Sequence, residues 1–274
     1  SYFKSLIILF VLFGTSCGSY KPFYSKSEYN WQDEIPADSS EVIYSLFLIG
    51  DSKRAYTNDP LLSMMESHLA GAGEQSAVVF LGDNVYPNGF PDSTHRSWDV
   101  AQKSLLAQLD ILQKFKGEII FMPGNHDWAR GKSEGLQYVK NQRKFIEDYL
   151  DKDKVFLPSK GRAGPAEVHL TEDIVLIIID SHWWFHENEK SFAGIEDEAD
   201  FFVQIEDAIS RNRDKKIVFA AHNPLYSVGN HGGHFTAADN LFPLLNVNRA
   251  LYIPLPGFIY TGYRKFLGYH QDLS

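Results

Sequence analysis

Short apolar runs alternate along this chain with stretches whose apolar residues return every third or fourth position. The run within Glu41–Gly50 (Val42, Ile43, Tyr44, Leu46, Phe47, Leu48, Ile49) is β-branched and aromatic, which predicts a buried strand. Ala77–Leu81, Glu118–Met122 and Lys215–Ala221 repeat that signature. Val168–Leu170 and Ile174–Asp180 read as a hairpin-like pair around Thr171-Glu172-Asp173. Between them, helical spacing predicts helices over Pro60–Ala70, Ser97–Phe115, Ser133–Leu150 and Ile195–Arg211. Strands that alternate with helices in this way imply an α/β fold. Residues 18–40 are polar and aperiodic and read as a tether, and the tail from Leu241 is rich in Pro, Tyr and Gly without a period.

The apolar runs end in a consistent way. Gly50-Asp51 closes the first and Gly82-Asp83-x-x-Tyr86 the second. Gly124-Asn125-His126-Asp127 follows the third, and His222 closes the last. Taken singly, each has an ordinary explanation: Gly-Asp and Gly-Asn favour turns, and a histidine before Asn-Pro can be a hydrogen-bonded cap. Taken together, they deliver carboxylate, phenol, amide and imidazole donors to the carboxyl ends of strands, where open α/β sheets gather ligands. A carboxylate such as Asp83 can give one oxygen to each of two cations. Two cations roughly 3.5–4 Å apart suit in-line displacement at phosphorus by a metal-activated hydroxide.

Composition narrows the range of partners. The 274 residues are 44% hydrophobic and 22% charged, enough for one large domain. A net charge of −9 argues against a nucleic-acid surface, which needs clustered Lys and Arg. Cys17 is the only cysteine. It follows Lys4, the apolar run Leu6–Phe13 and the small residues Gly14-Thr15-Ser16. This is the layout of a secretory signal, and it resembles a bacterial lipobox, although Gly14 stands where leucine is usual. Residues 1–17 are therefore expected to be an export signal, with Cys17 lipidated and the protein in the cell envelope or periplasm.

The four blocks resemble those of the calcineurin-like metallophosphoesterases. Asp83-x-x-Tyr86 and His222-Asn223-Pro224-Leu225-Tyr226-Ser227 with His231-Gly232 are similar to the purple acid phosphatase branch. The resemblance spans about residues 42–245 and implies a four-layer αββα sandwich that hydrolyses small phosphoesters, in particular monoesters. It implies Asp51 and Tyr86 on one metal ion, Asn125 and His222 on a second, and Asp83 between them. It implies Fe(III) at the tyrosine site and Fe, Zn or Mn at the other. His126 and His231 would face the phosphate, and Asp127 would orient His126. Lys53 occupies a position where many members have histidine. The family's last Gly-His-x-His block is absent, and His234 is a poor substitute, so 41–274 is expected to be a domain truncated at its C-terminus. A phosphodiesterase or nucleotidase on the same fold, and a non-catalytic lipoprotein that binds a partner, are the alternatives.

Overall fold

The computed structural model describes residues 42–52, 59–185, 191–224 and 242. The chain divides into two units, residues 39–223 and residues 1–38 with 224–274. All the strands and helices described belong to the first unit. The export signal with Cys17, the tether, Lys53, His231, His234 and nearly all of the tail lie outside the described residues. No helix among the described residues is long and apolar enough to cross a membrane.

Two three-stranded sheets form the centre. The first is wholly parallel: β1 (Ser45–Ile49), β2 (Ser76–Phe80) and β3 (Glu118–Phe121), paired in that order. In the second, β4 (Ala166–His169) runs antiparallel to β5 (Ile174–Ile178), and β6 (Lys216–Ala220) runs parallel to β5. The helices are α1 (Pro60–Gly71), α2 (Trp98–Asp110), α3 (Gly135–Leu150), α4 (Ser181–Phe185) and α5 (Glu198–Arg211).

Alternation along the strands builds four layers. In β2 and β3, Val79 and Ile120 turn one way and meet Leu176, Ile178 and Ala220 of the second sheet. Val78, Phe80, Ile119 and Phe121 turn the other way, into a core with Leu62, Leu69, Leu105, Leu109, Val139 and Ile146 from α1, α2 and α3. Val175 and Ile177 of β5 pack against Ala208 of α5 on the opposite outer face. Side chains standing on alternate faces of a pleated strand thus give helix, sheet, sheet, helix. Phe80 and Phe121 stack across β2 and β3 at 4.1 Å. Both are fully buried, so truncating either to alanine should cost roughly 3–5 kcal/mol.

Local chemistry explains where elements start and stop. Asp59 caps α1 by accepting from the Leu61 N–H at 2.9 Å, and Pro60 at the first helical position needs no partner. Asp197 caps α5 through Ala199 and Asp200. The first strand is shorter than its apolar run. It begins where Ser45 finds Ser76, and Val42 and Ile43 before it are exposed. Similarly, α2 stops at Asp110 although Leu112 and Phe115 stay buried, because the chain there continues as single turns.

Parallel pairing brings the strand ends together. Ile49 lies beside Phe80 and Phe80 beside Phe121, so three strands end on one edge. The fourth ending, that of β6, joins them: His222 Nδ1 donates to the Leu81 carbonyl at 2.8 Å.

Asp180, just past β5, is fully buried and accepts from Trp128 Nε1 at 2.7 Å and from the Trp183 N–H at 3.1 Å. Burial pushes its carboxyl up to about 7 against these donors. A folded pKa above the unfolded value, roughly 3.9, stabilises the fold below the latter. That contribution is lost as pH rises through the folded value. In metal-free protein, the melting temperature of wild type minus that of Asp180→Asn should therefore shrink between about pH 5 and about pH 8. Calorimetry across that range checks it.

Candidate functional site

Both Gly-Asp corners turn in the same unusual way. Asp51 and Asp83 adopt positive φ, 53° and 55°, and Gly82 before the second stands at 94°. The left-handed region costs a non-glycine residue roughly 1–2 kcal/mol, least for Asp and Asn. The turn sends the aspartate one way and its successor the other. Ser52 and Asn84 are consequently buried behind the corners. His222 is followed by an anchored residue too: Ser181 Oγ donates to Asn223 Oδ1 at 2.9 Å and accepts from the Asn223 N–H at 3.0 Å.

The second and third corners touch backbone to backbone. A Cβ on Gly82 would lie 2.7 Å from the Gly124 nitrogen. A Cβ on Gly124 would overlap Asp83 Oδ1 and lie 2.8 Å from His222 Cε1. Glycine is required at both positions by space, and at Gly82 by its positive φ as well.

Asp83 sits at the centre, 1% exposed. Its Oδ1 accepts from the His126 N–H at 2.9 Å, and its Oδ2 lies 2.7 Å from the Tyr86 hydroxyl. That same hydroxyl is 2.8 Å from Asp51 Oδ1. One phenol has one proton and can donate to only one of the two carboxylates at a time. Burial, followed by the two neighbouring carboxylates, raises the Tyr86 phenol far above its ordinary value. The tautomer of His222 is set by the Leu81 carbonyl, which can only accept, so Nδ1 carries the proton and Nε2 a lone pair. Nε2 lies 3.0 Å from Asn125 Oδ1 and 3.4 Å from Asp83 Oδ1. Five side chains thus bring more lone pairs together than protons to separate them. A cation relieves that excess, and carboxylate, phenol, amide and imidazole donors fit hard or borderline ions. Among the described residues, no three His, Cys, Asp or Glu side chains form a metal-type cluster. The set depends on tyrosine and asparagine.

His126 is fixed differently. Its Nδ1 donates to the Pro87 carbonyl at 2.7 Å, its ring lies 3.8 Å from that of Tyr86, and Nε2 is 3.8 Å from Asp83 Oδ2. Asp127 does not orient this imidazole, contrary to the expectation from the family resemblance; its carboxylate faces the loops instead. Oδ2 accepts from the Gly124 and Asn84 N–H groups at 2.8 and 3.3 Å, and Oδ1 from that of Val85 at 3.2 Å. Burial, then the adjacent Asp83 charge, raises its pKa.

A family model of calcineurin-like phosphoesterases matches residues 47–253. The chain belongs to that family. No curated protein matches it. The chemistry of a calcineurin-like phosphoesterase is metal-dependent hydrolysis of phosphoesters, generally with two divalent metal ions. The mixed α/β architecture agrees with the family's fold.

The structure brings Asp51, Asp83, Tyr86, Asn125, His126 and His222 of this phosphoesterase to one strand-end cluster; His231 lies outside the described residues. Other histidines lie elsewhere in the fold. His182 packs 6.5 Å from Trp128, His95 accepts from the Ser97 N–H, and His169 meets Lys215. Sequence reasoning misses Ser52, Asn84, Gln108 and the Ser181–Asn223 pair. Each is a small polar residue or a glutamine within an apolar pattern, a signal found only by asking why it is buried.

Replacing Gly124 with alanine should push Asp83 and His222 apart. Retained metal after dialysis, measured by mass spectrometry, is expected to fall for Gly124→Ala by roughly tenfold. Gly73→Ala, where a Cβ meets nothing within 4 Å, should leave it unchanged.

Proposed function

We propose that this phosphoesterase is a phosphomonoesterase of the purple acid phosphatase type with a two-metal centre. Asp51 and Tyr86 would hold one ion and Asn125 and His222 the other, with Asp83 placed between the two donor sets. The observation that carries the reading is the Tyr86 hydroxyl lying 2.8 and 2.7 Å from the carboxylates of Asp51 and Asp83. A phenol held there is a ready anionic donor once a cation replaces its proton. Its hardness favours Fe(III) at that position, with Fe, Zn or Mn at the other.

Bound ions supply charge neutralisation at the phosphoryl oxygens and acidify a water molecule. The rest of the chemistry falls to the chain. Asp83 fixes the relative position of the two donor sets. His222, with Nδ1 committed to the Leu81 carbonyl, turns Nε2 toward the site. His126, held through Nδ1 by the Pro87 carbonyl, presents Nε2 on the Asp83 side. There it stabilises charge on the phosphoryl group as it transfers. We assign the leaving-group proton to His231. The negative overall charge is compatible with an anionic substrate because the field at the site is set by the ions. We further infer export through residues 1–17, with Cys17 as the lipid attachment point.

The test is hydrolysis of an aryl phosphate monoester and its bis-aryl diester by the full chain loaded with Fe, Zn or Mn. The monoester should be hydrolysed faster, Asp83→Ala should abolish turnover, and Tyr86→Phe should lower kcat/KM at least roughly tenfold. Visible absorption of the Fe-loaded protein should also disappear in Tyr86→Phe. A faster diester reaction, or turnover indifferent to Asp83→Ala, overturns the reading.

A further inference from the structure

Behind the candidate centre runs a buried polar chain that no motif includes. Gln108 lies on α2, fully buried, on a helix face that also buries Ala101, Ser104, Leu105 and Leu109. Its amide is used at both ends. Oε1 accepts from Ser52 Oγ at 3.0 Å. Nε2 donates to the Asn84 carbonyl at 2.7 Å and to the Ser104 carbonyl at 3.1 Å. Turning the amide over would set its oxygen against two carbonyl oxygens, so the orientation is determined. Asn84 continues the chain: Nδ2 donates to the Met122 carbonyl at 2.9 Å and to Asp127 Oδ2 at 3.3 Å. Asp127 then holds the Gly124 N–H.

The points this chain touches are not arbitrary. Ser52 follows Asp51, Asn84 follows Asp83, and Asp127 closes the corner that carries Asn125. One helix side chain is therefore hydrogen-bonded to the first two ligand corners and, through Asn84, tied to the third. Leucine or methionine would fill the same volume but leave the Ser52 hydroxyl and the Asn84 carbonyl without their amide partner. A glutamine whose partners all lie on backbone or side chains of the corners, apart from one turn of its own helix, has a different task.

We propose that Gln108 is a positioning residue that sets the separation of the Asp51 and Asp83 carboxylates, and with it the affinity of the centre for metal. It acts through Ser52 and Asn84 and touches neither the ions nor the substrate. The proposal rests on the assignment of Asp51 and Asp83 as metal ligands.

The experiment is Mn(II) binding to the full chain, followed by the electron paramagnetic resonance signal of the free ion, with melting temperatures measured in chelator. Gln108→Met should weaken binding roughly 10- to 100-fold, the range for residues that orient metal ligands. Gln142→Met is the matched control. Gln142 is equally buried, on α3, and its amide has no hydrogen-bond partner among the described residues. It should bind Mn(II) as wild type does. Ser52→Ala cuts only the link to the Asp51 corner and should weaken binding several-fold, which keeps the question open to test if Gln108→Met folds poorly. Wild-type affinity in both Gln108→Met and Ser52→Ala, with Asp83→Ala unable to bind, overturns the proposal and leaves the ligand assignment standing. Unchanged binding in Asp83→Ala overturns both.

Discussion

An almost fully buried carboxylate needs its charge answered on the spot, and Asp83 imposes that need on everything around it. Burying an unpaired ion costs several kcal/mol or more. The neighbours supply a backbone N–H from His126 and a phenol from Tyr86. They do so only because two loops approach without side chains between them, at Gly82 and Gly124. The approach in turn requires β2 and β3 to end in register, which the Phe80–Phe121 pairing secures. Packing of the core and neutralisation of one charge are thus parts of a single arrangement.

The second sheet contributes by proximity. It packs on the first through Leu176, Ile178 and Ala220. That contact carries the end of β6 to the Leu81 carbonyl, where His222 finds both its place and its tautomer. The long-range hydrogen bond does what no local motif can: it tells an imidazole 141 residues away which nitrogen to expose.

Much of this was legible in the residues. Apolar runs marked the strands, and the donors at their ends marked where the chemistry would lie, because polar groups directly after a buried run have few other reasons to be there. Alternation of strand and helix implied the α/β class, and the four layers were implied by the family resemblance. What the pattern missed has physical causes. Strand length depends on whether a partner is present, so Val42 and Ile43 fall outside β1 despite their type. Helix α4 is held by a buried carboxylate, Asp180, and by aromatic packing, not by periodicity. The part played by Asp127 depends on which way a side chain turns at a corner. Spacing says nothing of that, and the carboxylate faces backbone N–H groups where an imidazole was expected.

The left-handed corners bear on how such a site changes through descent. A position held at φ 53° or 55° accepts Asp, Asn or Gly with little strain and resists most other side chains. Drift at Asp51 or Asp83 is therefore channelled. Asparagine or glycine at either corner would keep the bend while removing the charge. Since two uncharged residues would serve the backbone equally well, the turn alone does not call for aspartate at both corners, and the reason lies in the charge each brings to the site.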